Sequence, residues 1–229
     1  MDWLEVFEFV MFFGVFFFFI FVVGYIIYQE KKRCDTLKAM APKMGFTYVD
    51  RDNSIRDRFA HLNIFKRGHS HENRNVMVGV RDGVKVVLTD YNYASGSGKN
   101  KTHYSYTLCI ITDPDLNLPH FYLRRENSFF DYLGKLFGGQ DINFPEDERF
   151  SSAFVLQGMV ESETRSFFDD RIRKAFMKFA GTDAQVEAQN DSLIIHRGAK
   201  LPPEQWGTLL KDTFSVYGAL KDNDSELLA

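Results

Sequence analysis

The sequence predicts an α+β protein: an N-terminal transmembrane helix followed by a largely antiparallel sheet with flanking amphipathic helices. Three observations predict it. Residues Phe9–Tyr28 are all uncharged and mostly apolar, and eight of the chain's 24 Phe fall there. β-rich runs broken by turn residues crowd the middle of the chain. Helical apolar periodicity returns only in the last third.

Twenty residues at about 1.5 Å each span roughly 30 Å, the depth of a bilayer's hydrocarbon core. A helix satisfies its own backbone there. Trp3 on one side and Tyr25 and Tyr28 on the other suit the two interfaces. A cleaved leader would want a positive start and a small-residue cleavage site. This chain starts with Asp2, Glu5 and Glu8, and Gln29-Glu30-Lys31-Lys32-Arg33 follows the run, so an uncleaved anchor is expected. Lys31, Lys32 and Arg33 flank the span on its C-terminal side. By the positive-inside rule they put the N-terminus outside and the C-terminal domain in the cytoplasm.

The expected domains are an anchor over 1–28, a juxtamembrane basic segment with a short helix over 29–44, an α+β domain over 45–221 and a frayed tail over 222–229. The α+β domain divides further into a strand-rich part, 45–158, and a helix–hairpin–helix part, 159–221. Three of the chain's 31 acids lie in the first 28 residues, so the remainder balances at 28 acidic and 28 basic side chains. Such a domain has no general electrostatic reason to bind nucleic acid or coat a membrane, which leaves local patches as the exception.

In chain order, the juxtamembrane helix ends near Pro42 and Gly45, and Phe46–Asp50 alternates as a first strand. Ile55–His61 makes a helical turn or two. Asn75–Val80 and Val84–Tyr93 flank Asp82-Gly83, a strong hairpin signal. Ser95–Asn100 turns into the strand Thr102–Thr112, completing a meander. His120–Arg124 and Phe150–Gln157 add strands, with a small helix near Ser128–Phe137. One helix, Val160–Ala180, carries Phe168, Ile172, Ala175, Phe176 and Phe179 on one face. Ala184–Ala188 and Ser192–Arg197 form a hairpin around Gln189-Asn190-Asp191. A last helix opens at Pro202-Pro203-Glu204 and buries Trp206, Leu209, Leu210, Phe214 and Tyr217.

With the strands placed, Arg74-Asn-Val-Met77, Gly79, Asp82-Gly83, Asp90-Tyr91, Tyr93 and Gly96-Ser-Gly-Lys-Asn100 form a recognisable pattern. It continues through Leu118-Pro119, Phe121–Arg124, Glu126, Gly138–Ile142 and Phe150-Ser151 to Gly158. It resembles a family of bacterial single-span membrane-anchored proteins without an established activity, over roughly Gly45 to Phe179. The resemblance implies an architecture, a bacterial source and the cytoplasmic membrane, and brings no catalytic residues.

Candidate sites are few. Gly96-Ser-Gly98-Lys99 lacks the spacing and the following helix of a phosphate loop, and reads as a hairpin tip. His69 and His71 are the best metal candidates, because alternate strand residues share a face, but two ligands make no complete site. Asp90, Lys99 and Arg124 are the candidate ligand-binding residues, on neighbouring strands where they could capture an anion, although the default reading of the same groups is an Arg–Asp ion pair closing the sheet. Cys34 beside the basic cluster is expected as an unmodified thiol rather than a palmitoylated one, and Cys109 as a buried strand residue. No catalytic constellation and no cofactor motif emerges. The reading is a membrane-tethered interaction module for a protein or anionic ligand, with the bilayer itself as partner through residues 9–28. The alternatives are an enzyme acting on a phosphate-bearing or lipid substrate at the membrane surface, and a structural protein oligomerising through its Phe-rich span.

Overall fold

The structure is a computed structural model in which residues 3–126 and 141–227 are described. Helix α1 runs unbroken from Trp3 to Met40. A separate juxtamembrane helix was the expectation. Between Gly24 and Pro42 there is no Gly or Pro, however, so nothing interrupts the hydrogen-bond ladder until Ala41 and the turn Pro42–Met44, closed by Gly45 at φ 82°. α1 is long and apolar enough to cross a membrane, and its most apolar stretch is not buried against the rest of the protein.

There follow β1 (Thr47–Arg51), α2 (Ser54–Arg58), β2 (His69–Arg81), β3 (Val84–Ser95), β4 (Thr102–Thr112), β5 (Leu118–Arg125), α3 (Glu148–Ala153), β6 (Phe154–Gly158), α4 (Glu161–Phe167), α5 (Asp170–Phe176), β7 (Gln185–Asn190), β8 (Ser192–His196) and α6 (Trp206–Leu227). The strands form one antiparallel sheet in the order β1-β2-β3-β4-β8-β7-β5-β6. The predicted Asp-Gly hairpin is present: Asp82 and Gly83 take φ 50° and 83°, the pair of positive values a two-residue type I′ turn requires.

Two elements differ from expectation because of local caps. The predicted strand over Phe150–Gln157 begins as α3, where the Asp147 carboxylate accepts the Phe150 backbone N–H at 3.1 Å. The predicted helix Val160–Ala180 is divided into α4 and α5. Asp169 accepts from the Ile172 backbone N–H at 2.8 Å and starts a second helix there. α6 runs to Leu227, past residue 222, where the sequence predicts a frayed tail. The helix expected near Ser128–Phe137 lies outside the described residues.

Alternation along the strands gives two apolar layers. Val86, Leu88, Cys109, Ile111, Leu193 and Ile195 face one side, packed with Leu37 and Ala41 of α1, Phe167 and Phe168, Ile172 of α5, and Trp206 and Leu209 of α6. Val87, Tyr91, Tyr106, Leu108, Ile110 and Ile194 face the other side, covered by Ile55 of α2 and by Phe59, Leu62, Ile64 and Phe65. Asp113, just past β4, fixes α6 by accepting from Tyr217 O–H at 2.6 Å and Lys221 Nζ at 2.7 Å. Burial alone would raise the Asp113 pKa, but these two donors outweigh it and hold the carboxyl below its usual range.

Candidate functional site

The most elaborate polar arrangement sits where α1 meets the sheet. Arg33, Leu37 and Ala41 recur every fourth residue and so share one helix face. Leu37 and Ala41 enter the core with no exposed surface. Arg33, one turn nearer the apolar span, reaches Asp90 of β3 through two parallel bonds, Nε to Oδ2 and Nη2 to Oδ1, both 2.8 Å. Its side chain is 12% exposed and that of Asp90 1%. Two further donors complete the carboxylate: Asn75 Nδ2 at 2.9 Å and Thr107 Oγ1 at 2.9 Å. A bulge between Arg74 and Met77, with Asn75 at φ 51°, turns that amide onto the α1 side.

The network continues in both directions. Tyr48 O–H donates to Asn75 Oδ1 at 2.8 Å, which leaves the Cys34 thiol to donate to the Tyr48 oxygen, 2.9 Å away. Burial first, then the contact with Cys34, pushes the Tyr48 pKa above its ordinary value. Thr107 Oγ1 accepts the Leu201 backbone N–H at 2.9 Å, and the Arg33 guanidinium lies 5.9 Å from the Trp206 ring at the head of α6. Lys200 Nζ also meets Glu30 of α1 at 2.8 Å. One arginine thus ties α1 to β2, β3, β4 and the segment leading into α6. A bidentate, fully hydrogen-bonded pair of this kind fixes orientation; removing one partner from such a buried pair costs about 3–5 kcal/mol.

Grooves flank this clamp. One of about 480 Å3 is lined by Lys32, Arg33, Thr36, Lys200 and Pro202. Another of about 550 Å3 is lined by Ile26, Ile27, Lys31, Cys34, Arg51 and Arg74. A more apolar cleft of about 760 Å3 opens at the opposite end of the sheet, lined by Phe59, His61, Val78, Val80, Val87 and Asp191, with Val80 66% exposed. Burial lowers the His61 pKa in that cleft, more than Asp191 and Glu187 raise it.

The three residues proposed as an anion site do not converge. Asp90 faces α1 and is held by Arg33. Lys99 sits in the exposed turn Gly98–Asn100 between β3 and β4. Arg124, on β5, is separated from β3 by β4, β8 and β7 and points to the other face, beside Tyr122. The pleat decides this: Leu88 and Asp90 share the face of Leu123, so Arg124 takes the opposite one. His69 and His71 also part company. Ser70 at φ 56° breaks the alternation, so His69 Nε2 meets the Gly96 carbonyl at 2.9 Å and His71 Nδ1 meets Tyr91 O–H at 2.7 Å. Among the described residues no three His, Cys, Asp or Glu side chains are grouped to hold a metal ion. Cys109 is fully buried, and its thiol is pushed up to about 12 by burial.

The opposite face carries a different polar group. Tyr122 O–H donates to Gln185 Oε1 at 2.5 Å, and Glu187 accepts the Asn63 and Ile64 backbone N–H groups at 2.5 and 3.2 Å. Arg67 is buried beside Tyr122 and His196, and its Nε and Nη2 meet no hydrogen-bond acceptor among the described residues. His196 is pushed down to about 3, chiefly by burial and further by Arg67.

Sequence reasoning placed Arg33 only at the membrane flank and missed its role as the partner of Asp90, along with Asn75, Thr107 and Tyr48. The four-residue spacing of Arg33, Leu37 and Ala41 is the signal that could have found the first.

No family model and no curated protein matches the chain. Among solved structures it is similar to the crystal structure of the mycobacterial trehalose monomycolate transport factor A, TtfA. The TM-score is 0.60 at 12% identity, over 82% of this chain and 93% of that one. At that identity the likeness establishes a shared α+β fold. It reaches well beyond the anchor and so describes the folded domain.

Proposed function

We propose that this protein is a bacterial, single-pass membrane protein whose α+β domain is a tethered interaction module, serving a transport or assembly partner in the same membrane. The observation that carries the reading is the continuity of α1. One helix passes without a break from an unburied apolar half into the core, and Arg33 locks it to Asp90 at the junction. A flexible linker would hold a domain near a membrane in any pose. A clamped helix presents it in one pose, which serves a partner anchored in the same plane. The pairing of Asp90 with Arg33, and the separation of Asp90 from Arg124, favour binding over catalysis at the residues first considered. The transport role named for TtfA fits this reading. The Lys31–Arg33 cluster orients the domain to the cytoplasm.

The test is made in native membranes with a photo-crosslinking residue at Val80, in the apolar cleft. A discrete adduct is expected from the full chain, and its loss when Phe17 and Ile20 are both changed to Arg. Absence of any adduct from Val80 and from Lys85, also at the cleft, would overturn the module. Release of the unaltered chain by an alkaline wash would overturn the anchor.

A further inference from the structure

The register of the sheet fixes where the β3–β4 hairpin tip lies relative to the apolar half of α1. β1 returns alongside α1: the Phe46 N–H donates to the Ala41 carbonyl at 2.9 Å, Asp50 reaches Cys34, and Arg51 shares a groove with Ile26 and Ile27. β1 therefore runs back toward the apolar end of the helix. Arg51 pairs with Arg74, Arg74 with Asp90, and Asp90 with Thr107, so these residues lie at one level, the level at which Arg33 docks.

Beyond that level β1 stops, while its neighbours continue. β2 extends back to His69, β3 on to Ser95, and β4 starts at Thr102, five residues past the docking level in each case. Five strand residues cover about 16 Å. Five helix residues, from Arg33 back to Tyr28, cover about 7.5 Å. Even if strand and helix cross at about 60°, the projection along α1 is about 8 Å. The tip therefore reaches the level at which the apolar side chains begin.

The chemistry of the tip suits that position. Residues 96–103 are all exposed, and Lys99, Lys101 and His103 are the ionisable groups among them. No Asp or Glu occurs between Asp90 and Asp113. His69 on β2 holds the tip through the Gly96 carbonyl, and Tyr93 and Tyr104 stack at 4.9 Å behind it.

We infer that the Gly96–His103 tip rests on the bilayer that α1 crosses, with Lys99 and Lys101 against anionic headgroups. This rests on α1 being a membrane span. It adds a second point of contact, so the domain sits on the membrane surface and does not swing above it. A basic side chain close to an anionic surface contributes about 1 kcal/mol, so two together correspond to roughly a thirtyfold preference for the docked pose.

The experiment uses the full chain carrying Cys34→Ser and Ser97→Cys, labelled at residue 97 with a fluorophore. It is reconstituted in phosphatidylcholine vesicles with or without phosphatidylglycerol, each with a trace of headgroup spin label. Strong quenching is expected in the anionic vesicles. It should fall at least twofold in pure phosphatidylcholine, in 0.5 M salt, or with Lys99→Glu and Lys101→Glu together. Quenching that is absent, or indifferent to lipid charge and to both lysines, overturns the inference. Flotation of the same samples separates the two claims. Protein that floats with the vesicles but shows no quenching loses only the hairpin contact, whereas protein that stays behind loses the span itself.

Discussion

The two halves of α1 share one backbone and differ in what surrounds them. From Phe12 to Tyr28 the large side chains are mostly exposed, Phe12 at 69% and Phe21 at 70%. From Arg33 to Ala41, one face is held by the sheet and Leu37 and Ala41 are wholly buried. The first half is apolar on every side, and its most apolar stretch is unburied. The second is amphipathic and has a specific partner. The difference is one of surroundings: the first half is long and apolar enough to cross a membrane, the second packs on the sheet, and Arg33 at the boundary is paired with Asp90.

Breaking the first half should have the largest effect. Phe17→Arg with Ile20→Arg puts two cations where each costs about 2.5–3.5 kcal/mol in membrane insertion. The chain should move to the soluble fraction, read by alkaline extraction, while circular dichroism shows the sheet retained. The second half breaks differently. Asp90→Ala leaves Arg33 buried without its carboxylate and should cost about 3–5 kcal/mol in denaturant unfolding of the detergent-solubilised chain. Adding Arg33→Met should restore most of that loss, because the penalty belongs to the unpaired charge. A restored double variant whose domain reorients freely against α1 would sharpen the comparison, showing that the pair sets geometry more than stability.

Leu37→Ala should cost about 2–5 kcal/mol, the cavity penalty of a buried leucine, whereas Phe18→Ala in the lipid half should stay within about 0.5 kcal/mol by the same measurement. Equal effects would mean the two halves share an environment. The remaining effect needs no substitution to appear: a pH slope on the far face of the sheet. His196 is held neutral well below its unfolded value of 6.5, at about 3, so its contribution is complete above pH 6.5. It is lost as pH falls toward 3, by about 1.4 kcal/mol per pH unit. His61 and His71 are lowered as well and add in the same direction. His196→Asn keeps an acceptor for the Gly198 N–H and should flatten the slope, as read from midpoint temperatures between pH 7 and pH 4.

Much of the fold was legible in the chain because it rests on local rules. Asp82-Gly83 imposes its turn wherever it occurs between β-rich runs, and Trp206, Leu209 and Leu210 mark a buried helix face by spacing alone. Asp147 and Asp169 show where that reading stops. Each is an ordinary acid in a charged stretch until its carboxylate caps a helix, and each moved a boundary. The candidate site was less legible still. Asp90 was expected to help capture an anion, but Arg33, 57 residues away, is the group that meets it. Arg124 was expected on Asp90's side; the pleat turns it to the other face, and the sheet order sets β8 and β7 between β4 and β5.

What the sequence determined by itself is the apolar helix, the α+β class and the first meander. Each follows from hydrophobic periodicity or from the dihedral needs of a few turn residues, and those act over a handful of positions. Only the tertiary structure decided that α1 stays continuous into the core, that Arg33 closes on Asp90, and that the β3–β4 tip projects past that junction. Those depend on register and strand order, which join residues tens of positions apart and leave no local mark on the chain.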